Sequence, residues 1–225
     1  MKMILSVVLL AVVAVAAVVG YTVFRPPAQA SAPIQAAPIA ESVTAAPAAA
    51  VYEIDPNAST AKFVVDEVLR GSPKTVVGTT NQVAGQIAAN LDDLDQAHVG
   101  EIRINAGTLT TDESGRNRMI QNAILQTDQH EYITFTPKQM VGLPDSATVG
   151  QPFTFQMVGD LTIRGMPKET TFDVQVTPTA DNRLEGTAST TIRYADWGVS
   201  IPQVPAVAGV ADQVALHLEF VARSA

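Results

Sequence analysis

From Val51 to the C-terminus, apolar and polar residues alternate with a period of two, and this constrains the fold more than any other feature of the chain. Successive side chains of a β-strand point to opposite faces, so alternation buries one face and leaves the other in water. Phe63 and Val65 share a face, as do Val83, Ile87, Ala89 and Leu91, and then Ile102, Ile104 and Ala106. The pattern recurs in Ile133 and Phe135; Phe153, Phe155 and Met157; Leu161 and Ile163; Phe172, Val174 and Val176; and Val214, Leu216, Leu218 and Phe220. Turn residues separate these runs at Gly71-Ser72-Pro73, Gly142 to Gly150, Gly165 to Pro167 and Asp181-Asn182, and such connections make neighbouring strands antiparallel. The expectation is an all-β domain of about eight strands, as a sandwich or a closed barrel. No repeat of roughly 20–50 residues recurs, which argues against a propeller or solenoid.

One segment has a different period. After Asp112 or Ser114, either one a suitable N-cap, the run Arg116 to Gln126 places Met119, Ile120, Ala123 and Ile124 on one helical stripe. A short amphipathic helix is expected there, lying over a sheet or plugging an opening.

Composition removes most chemistry. The chain has no cysteine, which excludes disulfides, thiolate zinc sites, iron–sulfur ligation and a cysteine nucleophile. Its net charge of −8 and the lack of any basic run argue against nucleic acid, whose binders need clustered Lys and Arg. His98, His130 and His217 stand far apart, and His130-Glu131 lacks the second histidine of a zinc helix because Thr134 occupies that place. Asp92, Asp93 and Asp95 read as a solvated acidic turn without the ligand order of a calcium loop. With no nucleophile elbow, P-loop or dinucleotide fingerprint, neither catalysis nor a metal or cofactor is expected.

The N-terminus speaks to location. Met3 to Phe24 is an uncharged apolar run of 22 residues between Lys2 and Arg25, long enough to span a hydrocarbon core of about 30 Å. Residues 1–25 therefore read as a signal anchor, with a signal peptide cut after Ala28-Gln29-Ala30 as the alternative. Either one exports the rest of the chain. Residues 26–50 hold 11 Ala and 5 Pro with Glu41 as the only charge, and they read as an extended linker. Residues 51–225 form the domain, with 12 basic and 21 acidic residues.

Several ordered blocks of that domain resemble the YceI-like family of lipocalin-like, polyisoprenoid-binding proteins. Tyr52-Glu53-Ile54-Asp55 resembles the family's opening Y-x-I-D, and Gly85-Gln86-Ile87 its sheet-turning G-x-I. Thr110-Thr111-Asp112 and Arg116 through Leu125 continue the match. Gly159-Asp160-Leu161-Thr162-Ile163-Arg164-Gly165 is similar to its G-x-L-T-I-x-G strand and hairpin, and Met166-Pro167-Lys168 extends that block. Arg193-Tyr194-Ala195-Asp196-Trp197-Gly198 is similar to its R-x-D-F-G element, and Val210 to Val214 to its closing strand. Departures fall near the helix, where Arg116-Asn117-Arg118-Met119-Ile120 replaces R-D-x-H-L, and at His130 to Phe135, which replaces Y-P-x-I-x-F.

The resemblance implies an extended antiparallel lipocalin-like barrel whose apolar tunnel takes a long-chain lipid such as an isoprenoid, a quinone or a fatty amide. The lining expected from the alternation and the helical stripe is Phe63, Val65, Ile87, Ile102 and Ile104, then Met119, Ile120 and Ile124 of the helix. Phe135, Phe155, Leu161, Ile163, Leu216 and Leu218 complete it, and no charge recurs among these positions. Trp197, the sole tryptophan, is included as a residue that packs in the core, closes the mouth or stacks on a head group. Arg193 and Asp196 read as a local ion pair or turn brace. The expected function is non-catalytic binding, sequestration or transfer of the lipid at the membrane outside the cytoplasm. The partners are the lipid itself and the membrane through the N-terminal segment, with a homodimer left open. The alternative is a tethered structural or protein-interaction barrel whose own side chains fill its interior.

Overall fold

The computed structural model describes residues 20–21, 25–26, 33–36, 49–202 and 207–224. The expected membrane span lies almost wholly outside these, as does most of the linker; among the described residues no helix is long and apolar enough to cross a membrane. The domain is one antiparallel sheet. Its first seven strands are β1 (Ala50–Ile54), β2 (Thr60–Leu69), β3 (Ser72–Thr80), β4 (Val83–Ala84), β5 (Gln86–Asn90), β6 (Asp93–Val99) and β7 (Ile102–Asn105). After a helical insertion come β8 (Tyr132–Val141), β9 (Phe153–Ile163), β10 (Met166–Pro178), β11 (Arg183–Arg193), β12 (Val207–Val210) and β13 (Gln213–Ser224).

These thirteen segments differ from the expected runs in identifiable ways. Phe153 to Met157 and Leu161 to Ile163 form a single strand, β9, running through Gly159. β11 does not register in the alternation because Leu184, Ala188 and Ile192 are its only inward apolar residues, spaced four apart among Thr, Ser and Gly. β6 is hidden in the acidic cluster: only Asp92 belongs to the turn, while Asp93 and Asp95 are exposed on the strand and flank buried Leu94. Two hairpins are also centred a residue or two earlier than their Gly and Pro suggest. Leu69 pairs with Ser72 and Ile163 with Met166, so the two-residue turns are Arg70-Gly71 and Arg164-Gly165. All four have positive φ, the geometry that matches the twist of a tight hairpin.

Pairing runs β4-β7-β8-β9-β10-β11-β13-β1-β5-β6. β13 organises the curl, because one edge pairs with β11 along its length while the other pairs with β2 through Ala215–Glu219 and with β1 through Ala222–Ser224. β4 and β5 are separated only by Gly85, so strands distant in the pairing order adjoin along the chain. The Ile54 amide donates to the Gly85 carbonyl at 2.9 Å. A Cβ at Gly85 would lie 2.4 Å from Ile102 Cδ1, so glycine is what lets the bent segment approach β7. The result is a curled, barrel-like sheet around an apolar interior.

Antiparallel register puts the Arg70-Gly71 and Arg164-Gly165 turns and the insertion between β7 and β8 at one end, here called the helical end. The turns near Asp92, Gly142–Gly150 and Asp181-Asn182 lie at the other. The insertion is a short helix, α1 (Ser114–Met119), continued by a π-helical turn over Ile120–Ile124. Its N-cap is Glu113 rather than Asp112 or Ser114, and Glu113 makes no side-chain capping bond. The wider π turn brings Ile120 and Ile124 to the interior but leaves Ala123 off it.

Candidate functional site

The inward faces of the sheet do not meet. They surround a cavity of about 520 Å³, within the usual range for a small-molecule site. Ile87 and Ala89 of β5, Ile102 and Ile104 of β7, Phe135 of β8, Phe155 and Leu161 of β9, and Leu216 and Leu218 of β13 all contribute wall. Phe135 stands edge-on to Phe172 at 5.0 Å between centroids and packs against both apolar clusters of the interior. Phe153 stacks with Phe155 at 6.1 Å. At the end opposite α1 the loop through Leu143 and Ala147 packs against the core, held by the Leu94 amide on the Asp145 carbonyl and the Ala147 amide on the Leu91 carbonyl, each 2.8 Å.

Fourteen of the fifteen lining residues named from the sequence border this one cavity, including Phe63, Val65, Ile163, Met119, Ile120 and Ile124. Trp197 does not. It is 5% exposed and packs with Leu161, Ile163, Ile192 and Val199, and its Nε1 donates to the Leu161 carbonyl at 2.9 Å. A ring anchored to strand backbone in this way braces the wall from a position off the cavity. Arg193 pairs across an exposed 3.7 Å gap with Asp212, not with Asp196.

The lining is also less uniformly apolar than expected. Phe63, Val65, Glu67 and Leu69 share the inward parity of β2, so a carboxylate enters the interior at the helical end. There the Arg116 guanidinium of α1 donates to Glu67 Oε1 at 2.8 Å, with side chains only 15% and 7% exposed. Arg116 also donates to Asp112, which accepts from Lys74 Nζ at 2.6 Å. The Lys74 hydrogen bond, with the Arg116 charge beside it, holds the Asp112 carboxyl below the usual carboxylate range. The signal in the sequence was the acid at inward parity in β2; its partner, 49 residues away, carried none.

The histidines stand apart in the fold as in the sequence. His98 is exposed on β6, His130 lies beside the Gly165 turn, and His217 pairs in register with Lys62 on the outward parity of β13. Among the described residues, no group of three or more His, Asp or Glu converges as a metal site.

A single curled antiparallel sheet, one short helical insertion and an internal apolar cavity with an ion pair at its rim define the class as an all-β, barrel-like domain with a hollow interior. The chain belongs to the YceI-like domain family, whose match covers residues 52–222. A UPF0312 protein from Staphylococcus epidermidis is 27% identical over 141 residues, covering 60% of this chain and 75% of its own. A Staphylococcus aureus UPF0312 protein is 25% identical over the same shares. Among solved structures, a polyisoprenoid binding domain from Saccharophagus degradans, implicated in plant cell wall breakdown, is similar with a TM-score of 0.61 and 16% identity. It covers 77% of this chain and 98% of that one. Burkholderia cenocepacia BcnA is similar at 0.60 and 16%, covering 75% and 98%. At such identity the likeness concerns the fold.

Proposed function

We propose that this protein binds one long-chain amphiphilic lipid, of the isoprenoid, quinone or fatty-amide kind, and holds or hands it on without catalysis, at the membrane outside the cytoplasm. The observation that carries this reading is the 520 Å³ cavity with aliphatic and aromatic walls along nearly its whole length. An apolar space of this size gives a hydrocarbon chain about 25 cal/mol for each Å² it removes from water. The polyisoprenoid-binding description of the Saccharophagus relative supports the same class of ligand. The alternative, an interaction barrel filled by its own side chains, requires an interior without this space. The apolar run at Met3–Phe24 supports the location.

The test is native mass spectrometry of residues 51–225 purified from a lipid-producing host, followed by organic extraction and identification of the adduct. Ala188, on the cavity wall, is replaced by Trp in parallel to occupy the space from within. A stoichiometric long-chain adduct on the parent that Ala188→Trp abolishes supports the reading. A parent that is apo and resists loading with isoprenoids, quinones and fatty amides overturns it.

A further inference from the structure

The chain immediately after the apolar run does not hang free. Arg25, one residue beyond Phe24, donates from its guanidinium to Asp128 at 2.6 Å, and its carbonyl accepts from Asn122 Nδ2 at 2.9 Å. Farther along, Ile34 is buried and its amide donates to Gln82 Oε1 at 3.4 Å. Asp128 and Asn122 belong to the insertion after β7, and the Gln82 carbonyl accepts from the Asn105 amide at the end of that strand. Both attachments are therefore at the helical end. Consecutive Cα atoms are about 3.8 Å apart, so the Arg25–Asp128 pair holds this end next to wherever Phe24 emerges.

Four described cations, Arg70, Arg118, Arg164 and Lys168, have no ion pair among the described residues and lie at this helical end, as do three exposed carboxylates without an ion pair, Asp66, Glu113 and Asp196. Among the described residues, Arg164 is held by neutral oxygens, the Gly198 carbonyl at 3.1 Å and Gln126 Oε1 at 3.0 Å. Beside it on the hairpin, Met166 is 42% exposed. The opposite end carries Asp92, Asp93 and Asp145 without a basic partner among the described residues. At the hairpin tip, Arg164 and Lys168 flank exposed Met166, a local pairing of cation and apolar side chain that suits lipid head groups. The cavity rim, at Glu67, Leu69, Arg116, Pro202 and Val210, is at the same helical end.

From these attachments we propose that the contacts of Arg25 and Ile34 strap the domain to the bilayer in one orientation, with the helical end and the cavity rim against lipid head groups and the turns near Asp92, Asp145 and Asp181 pointing away. The inference rests on the anchoring reading of residues 3–24 and deepens the proposed function by fixing the path of a lipid between bilayer and cavity.

The test uses the full chain in vesicles of phosphatidylethanolamine with a minority of phosphatidylglycerol. Because the chain has no cysteine, Met166→Cys and Asp145→Cys each give one site for a fluorophore, quenched by a head-group-attached quencher. β9 alone, with its 11 residues, is about 35 Å long, so a label at the far end is beyond contact with the head groups. The expected result is loss of most emission at 166 and almost none at 145. Asp128→Arg should narrow that difference, and adding Arg25→Asp should restore it; buried Trp197 emission verifies folding of each variant. Equal quenching at the two sites, a reversed order, or a difference insensitive to the charge swap overturns the proposal, as does failure of the chain to float with vesicles. Lipid occupancy is read on the same preparations. A loaded cavity without orientation bias overturns the strap and leaves the carrier reading standing; bias with an empty cavity supports the strap and removes the carrier reading.

Discussion

Replacing Arg116 with Met should expose how much the cavity rim depends on its ion pair. The substitution keeps the length and apolar stem of the side chain but strips the partner from Glu67, whose side chain is 7% exposed. At 2.8 Å and an effective dielectric constant of about 20, the attraction lost is about 6 kcal/mol. Desolvation already offsets much of it, and removing one member of a buried pair costs about 3–5 kcal/mol. Arg116 is partly exposed and its second partner Asp112 is 58% exposed, so about 2–3 kcal/mol is the expected net loss. Urea unfolding of residues 51–225, followed by the emission of Trp197, reports it directly. With a slope of about 2 kcal/mol per M, the midpoint should fall by about 1–1.5 M. Combining Glu67→Gln with Arg116→Met removes both charges and should recover at least half of that shift. A single-variant midpoint within about 0.3 M of the parent, or a double variant no better than the single, would refute the view that a stranded buried carboxylate is the cause.

Gly186→Ala should lower the thermal midpoint by about 4–8 °C, since its Cβ would lie 2.6 Å from both the Gln175 carbonyl oxygen and Phe220 Cζ; calorimetry of the two proteins checks this. Trp197→Phe should cost about 1–3 kcal/mol in circular-dichroism melts by removing the Leu161 hydrogen bond, while lipid occupancy by native mass spectrometry stays at the parent level. Asp55 accepts from Arg223 at 2.7 Å and from the Asn57 amide at 2.9 Å, and these bonds hold its carboxyl below the ordinary value. A depressed carboxylate stabilises fully above its unfolded value of about 3.9 and loses that contribution as pH falls through the folded one. Asp55→Asn should therefore be less stable than the parent near neutral pH, with the two urea midpoints converging as pH falls below the ordinary carboxylate value of about 3.9.

Local alternation was enough to place the strand walls of the cavity, because strand geometry assigns faces residue by residue. It predicted Ile102 and Ile104 together with Leu216 and Leu218 on one interior, although these pairs lie on strands far apart in the chain. Its failures were also local in origin. β11 lacks a dense apolar rhythm, Asp93 and Asp95 look like turn residues, and an aromatic side chain offers no clue that Trp197 faces backbone off the cavity.

The class of fold, the family and the greasy side of most strands were therefore legible in the chain alone, since each is written in short-range periodicity or in contiguous motifs. It took the folded molecule to divide one edge of β13 between β2 and β1, to bring Glu67 to Arg116, and to leave a space between the assembled faces instead of filling it. Those outcomes depend on pairings between distant segments and on the sum of many side-chain volumes, neither of which any single stretch of chain carries.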